Sequence, residues 1–180
     1  MILFSRVWAM PNKTTFAIPP IKEFLENRIL FGTWLDPFSG FNTSKELSSK
    51  NPNIRLDIIT NDINPICAAD YDIDAIDFLK LFSSKSVDGV LYDPPYSPRQ
   101  VKEVYDSIGL EITQEDTRAD KRRKTKEEIA RVISPGGKVI SFGWSSGGIG
   151  KKLGFELTEI LLVAHGSGHN DTIVTVEVKK

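Results

Sequence analysis

The sequence predicts an α/β chain built on a doubly wound, mostly parallel sheet, with one antiparallel strand in a C-terminal hairpin. Three observations predict it. Strand-like and helix-like segments alternate from Pro20 to Phe142. Acidic, proline and glycine residues gather where the strand-like segments end. The last two strand-like segments are joined by the turn-rich Gly166-Ser167-Gly168-His169-Asn170-Asp171, too short for a crossover helix, so they pair antiparallel.

The elements follow in order. Pro20 to Ile29 reads as a helix, with proline in its first turn and Ile21, Phe24, Leu25 and Arg28 at helical spacing. Thr33-Trp34-Leu35 is a short strand that stops at Asp36-Pro37. Ser44 to Lys50 suits a short helix closed by Asn51-Pro52, and Arg55 to Thr60 a second strand. Asp70 to Asp74 is a weak third strand, and Asp77 to Phe82 is helical. Val87 to Tyr92 is a buried-type strand running into Asp93-Pro94-Pro95. A helix over Pro98 to Ser107 follows, then a polar stretch and a helix over Lys121 to Ile133 that Pro135-Gly136-Gly137 ends. Strands at Lys138 to Phe142, Leu157 to Ala164 and Thr172 to Val178 complete the chain.

Composition bounds the function. With 180 residues the chain is expected to form a single domain over 1–180. A formal charge of −1 excludes a uniformly basic nucleic-acid binder but hides two opposed segments. Asp57 to Asp77 holds six aspartates and no basic residue, whereas Arg118 to Lys126 holds six basic residues against Asp120 alone. The longest aliphatic run, Ile160 to Ala164, is far short of the ~20 residues of a membrane span. With neither signal peptide nor span, and with Cys67 alone, the expectation is a cytoplasmic protein without membrane contact. A single cysteine and two histidines leave no zinc site.

Ligands of such sheets bind at the carboxyl ends of the strands. The first such end is Asp36-Pro37-Phe38-Ser39-Gly40-Phe41-Asn42-Thr43, a tight turn in which Gly40 and Asn42 tolerate unusual dihedrals. The second places Asp62 26 residues after Asp36, where a carboxylate can take both hydroxyls of a ribose. No G-x-G-x-x-G phosphate loop accompanies it, and the acidic band would repel a pyrophosphate. A phosphate-free adenosine cofactor with a cationic centre fits, and S-adenosylmethionine is one. The third end, Asp93-Pro94-Pro95-Tyr96 after the apolar Val90-Leu91-Tyr92, would arise by chance in about one chain of this length in a thousand, so it is the sharpest signal.

These motifs resemble those of the amino-group DNA methyltransferases, whose adenine-specific members carry the Asp-Pro-Pro-Tyr tetrapeptide. The Asp-Pro-Phe-Ser-Gly turn is similar to their cofactor loop, and Asp74-Ala75-Ile76-Asp77-Phe78-Leu79 to their adenine-contacting element. Thr15 to Ile21 resembles an N-terminal cofactor-contacting segment. The tail from Gly154 is most like that of compact methylases of phage and mobile elements. The resemblance implies a Rossmann-like class I methyltransferase that flips adenine out of DNA and methylates its N6 amino group by direct displacement. It implies a cofactor site from Thr15, Phe16, Asp36, Phe38, Gly40, Asn42, Thr43, Asp62, Ile63, Asp74 and Ala75. It implies a base site from Asp93, Pro94, Pro95 and Tyr96, with Tyr96 stacking on the flipped base. The basic run, through Arg118, Lys121, Arg122 and Arg123, is expected to meet phosphates.

Adenine's amino lone pair is delocalised into the ring. Acceptance of both amino hydrogens by the Asp93 carboxylate and the Pro94 carbonyl draws the nitrogen toward tetrahedral geometry and aims the lone pair at a methyl donor. Asn42 stands where many members have a second glycine. Only 57 positions separate Asp36 from Asp93 and 84 residues follow Tyr96, which leaves no space for a target-recognition domain. Specificity is then low, or comes from small loops, a homodimer or a partner subunit. An RNA adenine methylase, a DNA cytosine-N4 methylase and a catalytically silent subunit that presents nucleic acid are the other readings. Cys67 reads as a packing residue, His165 and His169 as loop residues or an active-site rim, and Trp144 as either a wall of the base pocket or a packing residue.

Overall fold

The computed structural model describes residues 1–29, 31–41, 43–47, 55–95, 97–107, 109, 119–166 and 168–180. Its strands are β1 (Leu3–Trp8), β2 (Gly32–Asp36), β3 (Leu56–Thr60), β4 (Val87–Tyr92), β5 (Ile133–Gly143), β6 (Phe155–Ala164) and β7 (Thr172–Lys179). The helices are α1 (Pro19–Glu26), α2 (Ala75–Lys80), α3 (Pro98–Ser107) and α4 (Ala119–Val132). One seven-stranded sheet runs in the order β1-β6-β7-β5-β4-β2-β3. Every pairing is parallel except those of β7 with β5 and β6, so the expected antiparallel hairpin is present.

Side-chain alternation along the central strands divides the core between the two faces of the sheet. One cluster gathers Ile21, Phe24 and Leu25 of α1 with Leu91, Ile140 and Val174. The other gathers Phe78 and Leu79 of α2 and Ile129 and Val132 of α4 with Val90 and Val139. Sheet and helices can therefore bury both faces of β4, whose Val90 and Leu91 are fully enclosed. Gly89 is required by this packing: a Cβ there would lie 2.5 Å from the Trp34 ring on β2.

Three local expectations need correction, and one strand was not foreseen. Asp70 to Asp74 is not a strand; one isolated bridge, Asn61 to Tyr71, is all the pairing it makes among the described residues. Pro135-Gly136-Gly137 does not separate a helix from a strand. α4 ends at Val132 and β5 begins at once with Ile133, opposite Val87, and the register then jumps from Val87/Ile133 to Gly89/Lys138. The three residues occupy that bulge, where a missing donor and a φ of 82° at Gly136 are tolerated. The described part of the expected Ser44 to Lys50 helix is a 3-10 turn, Thr43–Glu46; residues 48–50 lie outside the described residues. β1, which carries no strand-like alternation, pairs in parallel with β6 along its whole length. Its Leu3, Phe4 and Trp8 stay exposed at the sheet edge. No helix among the described residues is long and apolar enough to cross a membrane.

His165 is a buried tie between segments. One ring nitrogen lies 2.9 Å from the Ala9 carbonyl oxygen and the other 2.9 Å from the Thr172 hydroxyl, which fastens the N-terminal segment to the hairpin. Burial, with the Asp62 carboxylate nearby, pushes the Cys67 thiol up to about 11, which suits an inert packing residue.

Candidate active site

The parallel strands β2, β3 and β4 end on the same edge of the sheet, and the segments that leave them enclose a cavity of about 760 Å³. Thr15, Phe16, Phe38, Gly40, Asp62 and Ile63 line it, together with Asp74 and Ala75 from the start of α2. Asp93, Pro94 and Pro95 line it from the end of β4, and Lys121 and Arg122 from α4. Segments as far apart as residues 15 and 122 thus meet in one cavity, as the strand-end reading expects. Asn42, Tyr96 and Arg118 lie outside the described residues. Thr43 opens the 3-10 turn beyond the loop.

Asp36 is not in the wall. It is completely buried behind the loop, where its Oδ1 accepts a long hydrogen bond from the Phe38 N–H at 3.4 Å. Its Oδ2 makes no hydrogen bond, nor does the neighbouring Ser44 hydroxyl, although that hydroxyl is close enough to favour the ionised form. Burial, reinforced by the nearby Asp93 and Asp62 carboxylates, raises its pKa to about 7. The folded chain therefore binds a proton at Asp36 that the unfolded chain releases near pH 4. Stability from this group is complete below pH 4 and is lost as pH rises to 7, at a cost on the order of 4 kcal/mol. Asp36→Asn removes that dependence: the ligand-free variant is expected to be more stable than wild type at pH 8, with the advantage shrinking toward pH 5. Parallel unfolding curves for the two proteins between those limits reject the placement of this charge.

The loop after β2 is held by residues at the end of β3. The Asp62 carboxylate accepts from the Gly40 N–H at 2.9 Å and, through its other oxygen, from the Asn64 N–H at 2.9 Å. Gly40 has φ 52°, and a Cβ there would meet nothing within 4 Å, so the strain is in the backbone while the space above it is open. Asn61, fully buried, is the residue that sequence reasoning passed over. Its amide donates to the Pro37 carbonyl at 3.1 Å and to the Ile73 carbonyl at 3.0 Å, and its side-chain oxygen accepts from the Ile73 N–H at 3.2 Å. One side chain thereby joins the loops that follow β2 and precede α2. Its place between Thr60 and Asp62, at a strand tip, was the only available signal.

Asp74 caps α2, accepting from the Ile76 N–H at 2.8 Å, and its second oxygen pairs with Lys121 Nζ at 2.7 Å. The acidic band and the basic run meet at this ion pair. Lys121 also donates to the Tyr105 hydroxyl at 3.1 Å. Helical rotation splits the rest of the run. Arg122 reaches the Pro95 carbonyl at 3.5 Å, and Lys126 donates to the Gly148 carbonyl. Arg123 pairs with Asp120 at 2.7 Å and Glu127 at 2.8 Å on the outer face of α4. Tyr92, buried at the end of β4 against Phe38, has its hydroxyl pushed up to about 12 by burial. No cluster of metal-ligating side chains occurs among the described residues.

A second cavity of about 180 Å³ adjoins the first at the end of β5, and Tyr92, Pro94 and Arg122 belong to the walls of both. Trp144 stands in its wall, 47% exposed.

No protein-family model matches the chain, and no curated protein matches its sequence. Solved structures do share its architecture. TrmN from Thermus thermophilus superposes with a TM-score of 0.56 at 16% identity, over 91% of this chain and 49% of TrmN, so the chain spans about half of that protein. The 1,6-didemethyltoxoflavin-N1-methyltransferase of Burkholderia thailandensis, solved with S-adenosylhomocysteine, gives 0.59 at 11% identity over 89% of this chain and 77% of its own. The PH0226 protein of Pyrococcus horikoshii gives 0.54 at 14% identity, over 88% and 87%. What is shared at these identities is the fold, a Rossmann-like and mostly parallel α/β sheet.

Proposed function

We propose that this chain, taken as one domain over 1–180, transfers a methyl group from S-adenosylmethionine to the N6 amino group of adenine in DNA. The observation that carries the reading is the Asp93-Pro94-Pro95 segment in the same cavity wall as Gly40, Asp62 and Asp74. The donor set suits this cofactor. The four carboxylates of the wall, Asp62, Asp74, Asp93 and Glu103, outnumber its three cations, Lys13, Lys121 and Arg122, which favours a cationic ligand over a phosphorylated one. The Burkholderia methyltransferase, solved with the demethylated form of the cofactor, adds support through its fold.

S-adenosylmethionine supplies, when bound, an electrophilic methyl group on a sulfonium sulfur. Asp62 and Asp74 face its adenosine portion, with Phe16, Phe38, Ile63 and Ala75 as apolar walls. Asp93 and the Pro94 carbonyl accept the two amino hydrogens of the target adenine, which localises the nitrogen lone pair. The stacking role on the base falls to Tyr96 by the family resemblance alone, since that residue lies outside the described ones. DNA is favoured over a small acceptor such as that of the Burkholderia enzyme by the Asp-Pro-Pro-Tyr tetrapeptide and by the cations of α4 beside it. With the methyl group of the cofactor labelled, unmethylated DNA incubated with the protein acquires label; label absent from DNA while RNA acquires it moves the substrate to RNA.

The ion pairs of α4 sharpen the expectation for phosphate contacts. Neutralising Arg122 and Arg123 to Gln reduces the slope of log affinity against log salt by about 0.9 for each lost phosphate contact on duplex DNA. Cofactor affinity is unchanged in these variants. Lys121→Gln differs, because it also frees Asp74 and so alters cofactor affinity. Binding isotherms at several salt concentrations check this; an unchanged slope makes the run a solvated helix face.

A further inference from the structure

We infer that the free edge of β1 pairs with β1 of a second copy of this chain, antiparallel and centred on Ser5, joining two seven-stranded sheets across a two-fold axis. Methyl transfer plays no part in this pairing, since three strands separate β1 from β4 in the sheet order.

β1 is an edge that nothing among the described residues protects. It has β6 on one side and no strand on the other, and it pairs with β6 over all six residues without a bulge. Beyond its end the Ala9 N–H donates to the Ala164 carbonyl, so odd-numbered residues turn their backbone groups toward β6. Phe4, Arg6 and Trp8 therefore turn theirs outward, a row of donors and acceptors that another strand can meet. Prolines, bulges or several charges blunt most such edges; β1 has one charge, Arg6, and neither of the others. The opposite edge differs. At the tip of β3 the Asp70 carboxylate accepts from the Thr60 N–H, and Tyr71 bridges to Asn61.

The side chains of the strand favour burial against protein. Val7 packs into the cluster beneath α1, so alternation sends Phe4, Arg6 and Trp8 to the other face. There the cover stops short. The connection from β5 to β6, residues 144–154, holds only the 3-10 turn Lys151–Leu153, where a parallel crossover usually brings an α-helix. Ile2, Leu3, Phe4 and Trp8 are left 51% to 66% exposed. Aromatic side chains bury about 150–250 Å² each, so these four make an apolar patch of several hundred Å², the size that marks a contact site. That is about half of the ~800 Å² per partner of a standard interface, before the edge backbone is counted. A single cation in the patch suits a protein partner and not a phosphate backbone.

The order of residues in β1 selects the partner and the register. Outward-turned groups must oppose outward-turned groups, so the two registers that overlap most of the strand are centred on Ser5 and on Arg6. Centring on Arg6 sets two guanidinium groups directly opposite each other, which is destabilising. Centring on Ser5 sets Arg6 opposite the second copy's Phe4, a cation beside an aromatic ring, with Ile2 opposite Trp8 and Leu3 opposite Val7. The two Ser5 residues then form a closely spaced, non-hydrogen-bonded pair at the axis. A strand that complements its own reversed copy in this way meets the condition of a two-fold contact. The axis stands perpendicular to the sheet, so the two cavities open at opposite edges of the joined sheet and neither is covered.

The test is the mass of the full chain by sedimentation equilibrium between about 1 and about 100 µM. Wild type is expected to reach the mass of two chains. Phe4→Lys places a lysine opposite Arg6 and is expected to raise the dissociation constant at least tenfold. Adding Arg6→Glu to Phe4→Lys turns that opposition into an ion pair and restores the pairing. In a Cys67→Ala background, which removes the one native cysteine, Ser5→Cys is expected to link two chains by a disulfide on mild oxidation. Residues opposed at the axis have Cα atoms about 4.5 Å apart, within disulfide reach, whereas Arg6→Cys stays unlinked. Far-ultraviolet circular dichroism equal to that of wild type shows that the variants fold. A wild type that remains a single chain throughout overturns the inference, as does a pair that Phe4→Lys leaves equally tight, or linkage through Arg6→Cys in place of Ser5→Cys. A single-chain wild type that binds oligothymidine, with affinity lost in Phe4→Ala and Trp8→Ala, gives the face to nucleic acid instead. Methyl transfer to DNA is measured separately on the same proteins, and its presence or absence leaves the pairing result standing.

Discussion

Asp93→Ala is expected to lower methyl transfer by at least about 10²–10³-fold, the scale of losing one preorganised electrostatic contact to the reacting group. Cofactor affinity stays close to that of wild type. The separation follows from the cavity. Asp93 lies at the end of β4, whereas the loop proposed to face the cofactor is held by Asp62 through the Gly40 and Asn64 N–H groups. Asp62→Ala therefore gives the opposite result, with cofactor binding weakened because Gly40 loses its acceptor. Removing Asp93 also removes a neighbouring negative charge from Asp36, so the Asp36 carboxyl should ionise at lower pH in that variant. Calorimetry with S-adenosylmethionine on both variants decides the matter. If the Asp93 variant alone fails to bind cofactor, the two residues have been given each other's roles.

Asn61→Ala is expected to be the most destabilising single change at the site. It leaves the Pro37 carbonyl and both backbone groups of Ile73 without the amide that satisfies them. Stranded buried polar groups cost about 1–3 kcal/mol each, so a loss of about 3 kcal/mol or more is expected in denaturant unfolding. Cofactor affinity falls with it, because the same side chain joins the Asp36–Gly40 loop to the segment that leads into Asp74. A variant of wild-type stability and affinity contradicts the role given to Asn61.

The parts of the fold that were legible in the sequence are those whose signal is local. β4 is an apolar run that both faces of the sheet bury, and its end is marked by two prolines. Each strand tip that forms the cavity carries its own punctuation, which is why widely separated residues could be gathered into one site beforehand. β1 was not legible. Its Leu3, Phe4 and Trp8 are exposed, so no buried face imposes an alternation, and its place depends on pairing with β6 more than 150 residues later. The Pro135-Gly136-Gly137 bulge has the composition of a helix stop, and only the register against β4 reveals a strand. Asp70 to Asp74 carries alternating residues but spends its polar groups on Thr60, Asn61 and Lys45 instead of a ladder.

The site shows the same division. The tetrapeptide after β4 and the loop after β2 are contiguous motifs. The pairing of Lys121 with Asp74 joins residues 47 positions apart, and neither the acidic band nor the basic run announces the other as its partner. A charge run read along the sequence looks uniform; wound into α4, it sends Lys121 to the cavity, Lys126 to the Gly148 carbonyl and Arg123 outward.

The central claim is that Asp93 and the Pro94 carbonyl present an adenine amino group for methylation. It is tested most directly by hydrolysing DNA treated with the protein and labelled S-adenosylmethionine to nucleosides and identifying the labelled species by mass. The account predicts N6-methyldeoxyadenosine with wild type and none with Asp93→Ala. Label in N4-methyldeoxycytidine, or label in adenine that persists in the Asp93 variant, contradicts it.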